Sequence, residues 1–169
     1  MRSHSEFEES YDDETRLGGE ILSMPLGKLP RRPLLSLPDS TTVADAIKAL
    51  NEKRVGAAVI MQGGRLVGIF TERDVLSKVA AKPLDPGTIR VSEVMTPNPE
   101  TLPSEAKVAY ALRKMSEEGY RHIPIVDKTG TVTGVVAVRD IVRWLVDLFP
   151  EAVNLPPDPT LEARSTDGG

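Results

Sequence analysis

The chain has no cysteine among its 169 residues. That excludes disulfides, thiolate zinc sites and cysteine nucleophiles, and leaves the compartment open. It has two histidines, His4 and His122, so no histidine metal cluster and no histidine-based triad can be assembled beyond a single base. Neither a P-loop nor a Gly-x-Gly-x-x-Gly run occurs. No apolar run approaches the length of a membrane span and the N-terminus lacks a signal-peptide pattern, so cytoplasm is the expected compartment and no membrane partner is expected. A basic excess is missing as well. The first twenty residues carry seven Asp or Glu against two Arg, a local charge of −5 against −4 for the whole chain, so everything after them sums to +1. Binding of nucleic acid by bulk electrostatics needs clustered Lys and Arg and is not expected.

What is present is a duplication. Residues 1–20 are acidic and aperiodic and read as a disordered arm, with Phe7 and Tyr11 the side chains through which it could dock. Four prolines (Pro25, Pro30, Pro33, Pro38) keep the next stretch extended, with Leu34 to Leu37 as a short edge strand. Asp39-Ser40-Thr41-Thr42 then offers N-caps to a helix whose apolar positions Val43, Ala46, Ile47 and Leu50 fall at helical spacing. Val55 to Met61 reads as a strand, Gly63-Gly64 as a turn, Arg65 to Phe70 as the returning strand, and Thr71 to about Ala80 as a helix. The break from Lys82 to Gly87 separates the halves.

The order then repeats. Val94 to Pro99 opens the second half, and Val108, Ala111, Leu112 and Met115 reproduce the spacing of the first helix at a shift of 65 residues. Tyr120 to Val126, the turn Asp127 to Gly130 and Val132 to Val136 match the first hairpin, the return strand shifted by 66 because the turn is one residue longer. Such a register over some fifty positions marks an internal repeat. A last helix, Arg139 to about Phe149, places Ile141, Val142, Leu145 and Leu148 on one side. Trp144 falls off that stripe, where the first copy has Lys78, and reads either as part of the helix's own core or as an exposed contact surface. The expected organisation is an arm (1–20), a first repeat (21–87), a second repeat (88–149) and a proline-rich flexible tail (150–169).

Each repeat closes on the same stretch: Gly68-Ile69-Phe70-Thr71-Glu72-Arg73-Asp74 and Gly134-Val135-Val136-Ala137-Val138-Arg139-Asp140. A strand running into a helix presents free backbone N–H groups at the junction, a seat for an anion such as phosphate. The Thr71 hydroxyl suits phosphate, whereas the Asp74 carboxylate would repel it and suits ribose hydroxyls. Thr-x-x-Asp equally fits a capping box, with Thr71 as N-cap and Asp74 favoured by the helix dipole. The four residues alone leave both readings open.

Two β-α-β-β-α units closing on Gly-x-x-(Ser/Thr)-x-x-Asp, with Val94-Met95-Thr96-Pro97 opening one and Arg121-His122-Ile123-Pro124-Ile125-Val126-Asp127 inside it, resemble a tandem pair of cystathionine β-synthase (CBS) domains. The likeness spans about Leu26 to Phe149. It implies an α+β fold of two repeats related by a pseudo-twofold axis, with two clefts between them that bind adenine nucleotides in many members, and sensing rather than catalysis. Carried over residue by residue, one cleft would combine Thr71, Asp74 and Thr96 with Arg121 and His122. Thr71 would meet phosphate, Asp74 the ribose, Arg121 and His122 the phosphate charge, and Ile69, Ile123 and Pro124 the adenine ring. Arg121 adds a planar fork of donors suited to phosphate. The other cleft departs from the pattern. Ala137 replaces the hydroxyl, and Gly56 and Ala57 stand where Arg121 and His122 do. Asp140 remains, with Arg31 or Arg32 as a replacement cation, and Arg139 and Arg73 either cover helix surface or reach a polyphosphate. That cleft is expected to be weak or empty.

The resulting expectation is a non-catalytic regulatory module that takes AMP, ADP or ATP, needs no cofactor or metal, pairs into a homodimer and acts on an effector protein in trans. The competing reading is a structural dimerisation or docking module whose clefts hold no ligand.

Overall fold

The computed structural model describes residues 19–30 and 32–148. The arm with Phe7 and Tyr11, Arg31 and the tail from residue 149 lie outside the described residues.

The first repeat begins with β1 (Ser36–Pro38), followed by α1 (Val43–Lys53), which Thr42 caps by accepting from the Asp45 amide at 3.1 Å and which ends on Arg54 in the left-handed region. Its helical stripe Val43, Ala46 and Leu50 is buried, while Ile47 is half-buried. β2 (Ala57–Gln62) and β3 (Arg65–Thr71) form an antiparallel hairpin. Gly63 and Gly64 both take positive φ, +56° and +80°, the turn that matches strand twist and that other residues enter at a cost. β1 lies parallel to β2. α2 starts as a helical turn, Glu72–Asp74, and widens into a π-helical stretch, Val75–Ala80. The second repeat comprises α3 (Val91–Val94), β4 (Thr96–Pro97), β5 (Leu102–Pro103), α4 (Val108–Glu118), the hairpin β6 (His122–Val126) and β7 (Val132–Ala137), and α5 (Val138–Leu148).

The duplication holds at the level of register. Leu37 pairs with Ile60 and Leu102 with Ile125, both parallel, and both pairs shift by 65. Each hairpin has an irregularity at the equivalent step, between Ile60 and Met61 and between Ile125 and Val126.

The two units exchange the segments that precede them. The Val43 amide donates to Ile89 O at 3.0 Å, and the Val108 amide donates to Met24 O at 2.9 Å. Likewise Val91 N donates to Thr41 O at 2.9 Å and Leu26 N to Ala106 O at 2.8 Å. Moving each partner by 65 converts one bond of each pair into the other with the units interchanged, which is what a twofold relation between repeats requires. As a result Leu26 and Leu29, ahead of the first repeat in sequence, sit in the core of the second. Val91 and Val94 sit in the core of the first, and β4 adds to its sheet beside β3, giving the orders β1-β2-β3-β4 and β5-β6-β7. Proximity in sequence therefore assigns these leading segments to the unit they do not pack against.

The last helix corrects one expectation. Ile141 and Trp144 are buried, whereas Val142 and Leu148 are 51% and 42% exposed and Leu145 is half-buried. The core-facing stripe is set by the indole, which packs with Ile141 one turn earlier, so the helix is rotated from the phase that Val142 and Leu148 alone would give. Trp144 finishes its own core and is not an exposed contact. Among the described residues no helix is long and apolar enough to cross a membrane.

Candidate ligand cleft

The site grows out of the β3–α2 junction. A Cβ on Gly68 would lie 2.1 Å from Met95 Sδ, so only glycine lets Met95 lie on β3, and this packing seats Thr96 opposite Ile69 in β4. Thr71 and Asp74 form the capping box in full. Asp74 Oδ2 accepts from the Thr71 amide at 2.8 Å and from the Thr71 hydroxyl at 2.7 Å, and the Asp74 amide donates to the same hydroxyl at 3.3 Å. Asp74 is 5% exposed, the one buried charged residue among those described. Its other oxygen, Oδ1, meets Lys78 Nζ at 2.7 Å, and that ammonium also donates to Met95 O at 3.2 Å and Thr96 Oγ1 at 3.3 Å. The capping reading is thus satisfied by the same two side chains that border an open space.

That space is a cavity of about 670 Å³ at the seam of the repeats, within the range of small-molecule sites. Of the residues expected there, Ile69, Thr71, Asp74, Thr96, Arg121 and His122 all line it. Ile123 and Pro124 do not. Both are fully buried, Ile123 in the core of the second repeat. In a strand, successive side chains alternate between faces, which turns Ile123 away from His122, while Pro124 shares the face of His122 and is fully buried.

Sequence reasoning missed much of the rim. Glu72, Asn98, Glu100 and Tyr120 border the cavity, and Arg73 and Arg139 join Arg121 there. Arg73 Nη1 donates to Gly119 O at 2.7 Å, tying the first repeat to the second across the opening. Arg121 and Arg139 are exposed and have no ion-pair partner among the described residues. The Tyr120 hydroxyl donates to Glu100, which Lys114 also meets at 3.0 Å. These two donors hold the Glu100 carboxyl below its ordinary range, Tyr120 first, while burial and then Glu100 push the Tyr120 phenol up. No sequence signal marks that cluster. Lys78 was missed as well, although its place four residues after Asp74, a helical ion-pair spacing, is a signal that could have found it.

His122 stands between this cavity and a second, much smaller one, lining both. Burial pulls its pKa below the ordinary value, with Arg121 and Arg139 adding to the effect and Glu72 and Asp140 opposing it. A Cβ on Gly56 would lie 3.1 Å from His122 Nε2 and 3.2 Å from Glu72 Oε2, so imidazole and carboxylate converge above that glycine.

The second crevice holds about 30 Å³, room for a water or two and no more. Arg32 closes it. Its Nε meets Asp140 Oδ1 at 2.7 Å and its Nη1 donates to Arg54 O at 3.2 Å. Asp140 keeps half a capping box, accepting from the Ala137 amide at 3.3 Å, and Ala137 offers no hydroxyl to complete it. Arg139 borders both crevices. Among the described residues no group of three or more His, Asp or Glu is placed to hold a metal ion.

Two interlocked α+β repeats with a ligand-sized cleft at their seam define the class: a duplicated module with a crevice between its halves. The CBS domain family model matches residues 26–81 and 91–147, and the chain belongs to the CBS domain family as a tandem pair. The CBS domain-containing protein CBSCBSPB3 of Arabidopsis thaliana is 35% identical over 109 residues, 64% of this chain and 20% of the relative. The match therefore spans about a fifth of the length of such curated relatives. Among solved structures, the CBS domain protein PAE2072 from Pyrobaculum aerophilum, complexed with AMP, is 30% identical with a TM-score of 0.64, covering 73% of this chain and 99% of that one. The CBS domain pair of protein MJ0100, in complex with 5′-methylthioadenosine and S-adenosyl-L-methionine, is 25% identical with a TM-score of 0.65, covering 74% and 98%.

Proposed function

We propose that this chain is a non-catalytic regulatory module that binds one adenine nucleotide, of the AMP, ADP or ATP type, in the larger cleft and passes its occupancy to a separate effector protein. The observation that carries the reading is the inequality of the two crevices, about 670 Å³ against about 30 Å³, with the hydroxyl, carboxylate and unpaired guanidinium groups gathered at the larger. AMP and adenosyl ligands in the similar structures of PAE2072 and MJ0100 support an adenosyl ligand here.

In this reading Thr71 and Asp74 come from the first repeat and Arg121, His122 and Arg139 from the second, so a bound nucleotide contacts both. Its affinity then differs between relative arrangements of the repeats, and that difference is what a partner can sense. A homodimer formed through helix faces fits the exposed apolar side chains Leu76, Val142, Val146 and Leu148.

A thermal-shift and calorimetric panel of AMP, ADP, ATP, S-adenosylmethionine and NADH tests the proposal. One site per chain is expected, with roughly 2.7 kcal/mol of added stability at a hundred times the dissociation constant, lost in Asp74→Ala and Arg121→Ala. Two equal sites contradict it. Silence towards the whole panel favours the structural, ligand-free module.

A further inference from the structure

We propose that Arg32 is a positioning residue for nucleotide binding: by taking the carbonyl that Arg139 would otherwise cap, it leaves the Arg139 guanidinium to the larger cleft. The inference rests on the nucleotide reading above and adds to it a device that selects for phosphate.

The argument comes from the twofold relation. Each long helix that precedes a hairpin ends on a residue in the left-handed region, α1 on Arg54 (φ +52°) and α4 on Gly119 (φ +75°), and these two lie 65 residues apart. Carbonyls at a helix C-terminus lack partners within the helix and attract cations. At Gly119 the cation is Arg73, whose Nη1 donates to Gly119 O at 2.7 Å from the first turn of α2. Its counterpart, 66 residues on, is Arg139 in the first turn of α5. Symmetry therefore assigns Arg139 to Arg54 O. The structure gives that carbonyl to Arg32 instead, whose Nη1 donates to it at 3.2 Å while its Nε holds Asp140 at 2.7 Å.

Arg139 is thereby left exposed, without a hydrogen bond or ion pair among the described residues, and it borders both crevices. Val55, next in the chain after Arg54, lines the smaller one. The reach from Arg139 to Arg54 O is the one that Arg73 already makes at the equivalent place. Arg73 is tied to Gly119 O, so of this equivalent pair only Arg139 is free to meet an anion in the cleft.

The test is calorimetry with whichever of AMP, ADP and ATP binds most tightly and with adenosine, the latter by displacement where it binds weakly. The proteins are the wild type, Arg32→Ala, Arg139→Ala, the double variant of these two, and Arg32→Ala/Asp140→Asn. Arg139→Ala should lower the ratio of nucleotide to adenosine affinity about tenfold or more, the scale of a hydrogen bond to a charged group. Arg32→Ala should lower it about fivefold or more, and in the Arg139→Ala background should lower it no further. That comparison separates positioning from a field effect, because the charge lost with Arg32 would act on phosphate whether or not Arg139 is there. Arg32→Ala/Asp140→Asn keeps the net charge and frees Arg54 O, so it should reproduce the loss. It strands no carboxylate, and it decides the matter if Arg32→Ala does not fold. A crystal structure of that variant should show Arg139 donating to Arg54 O. A change in fold stability alone moves nucleotide and adenosine together and leaves the ratio intact. No loss of ratio in Arg139→Ala or in Arg32→Ala/Asp140→Asn, equal losses from Arg32→Ala with and without Arg139, or Arg139 still in the cleft of the variant overturns the inference while the nucleotide reading stands. Absence of binding by all three nucleotides overturns that reading and the inference with it.

Discussion

Removing Arg32 measures how firmly the chain closes its own second crevice. The Arg32–Asp140 pair is close, 2.7 Å, and its side chains are 30% and 12% exposed. Fully exposed pairs contribute about 0–1 kcal/mol, and breaking a fully buried one costs about 3–5 kcal/mol, because the surviving charge is stranded. The Coulomb attraction at this separation is about 6 kcal/mol with an effective dielectric of 20, and most of it is offset by desolvation of the carboxylate and ordering of the arginine. Asp140 in Arg32→Ala keeps only the Ala137 amide, with water entering through the vacated mouth. That places the loss near the middle of the range, about 2 kcal/mol. Urea denaturation of the wild type, Arg32→Ala, Asp140→Asn and the double variant should return a coupling of about 1–2 kcal/mol with unchanged m-values. The same cycle on Lys48 and Glu52, 3.9 Å apart and 74% and 64% exposed, should return about 0.5 kcal/mol or less. Raising the salt concentration should weaken the exposed pair more than the sheltered one. A coupling between Arg32 and Asp140 of about 0.3 kcal/mol or less, within ordinary additivity, would refute the claim that this pair holds the crevice shut.

Gly68→Ala puts a methyl where Met95 Sδ lies 2.1 Å away. It should cost about 1–3 kcal/mol by overpacking and weaken nucleotide binding through Thr96, with Met95→Ala recovering stability in a double-mutant cycle. Trp144→Ala should cost about 3–5 kcal/mol in denaturant, whereas Val142→Ser, at a 51% exposed position, should stay within about 0.5 kcal/mol; equal effects would reverse the assignment of the helix face. His122, whose pKa burial lowers, takes up its proton at a lower pH in the folded chain than in the unfolded one, where the value is about 6.5. Its contribution is therefore complete above about pH 6.5 and is lost as the pH falls below that value, until the folded imidazole also protonates. Melting temperatures from pH 7.5 to 5 should show this limb flattened in His122→Gln, and a wild type whose stability rises on acidification contradicts it.

The helices and hairpins were legible because local signals agreed: Thr42 before Val43, Gly63-Gly64 between two apolar runs, and a 65-residue echo of each. The junction residues Thr71, Asp74, Thr96, Arg121 and His122 could be gathered only because the order and spacing of the motifs resemble a CBS pair, since the second copy carries Ala137, Gly56 and Ala57 at the matching positions. Two things escaped for reasons of physics. Ile123 and Pro124 looked like a surface for a ring, but burial on a strand covered on both faces is decided by the partner elements and not by the strand's own alternation. The exchange of leading segments leaves no local trace at all. Leu26 and Leu29 are apolar wherever they pack, and only hydrogen bonds such as Val108 N to Met24 O show which core receives them.

The asymmetry of the two crevices follows from a requirement the repeats share. Asp74 and Asp140 occupy equivalent junctions, and a carboxylate withdrawn from water needs a cation or donors close by. The first repeat supplies Lys78 one turn along the same helix, behind the wall, and the space in front of Asp74 stays open. In the second repeat that helical position is Trp144, which closes the core against Ile141 and cannot carry charge. Asp140 takes a guanidinium from Arg32, ahead of β1, and that side chain lines the crevice it closes. The two equivalent carboxylates are thus neutralised from different directions, one along its own helix and one from the segment ahead of β1, and the crevices beside them differ in volume accordingly.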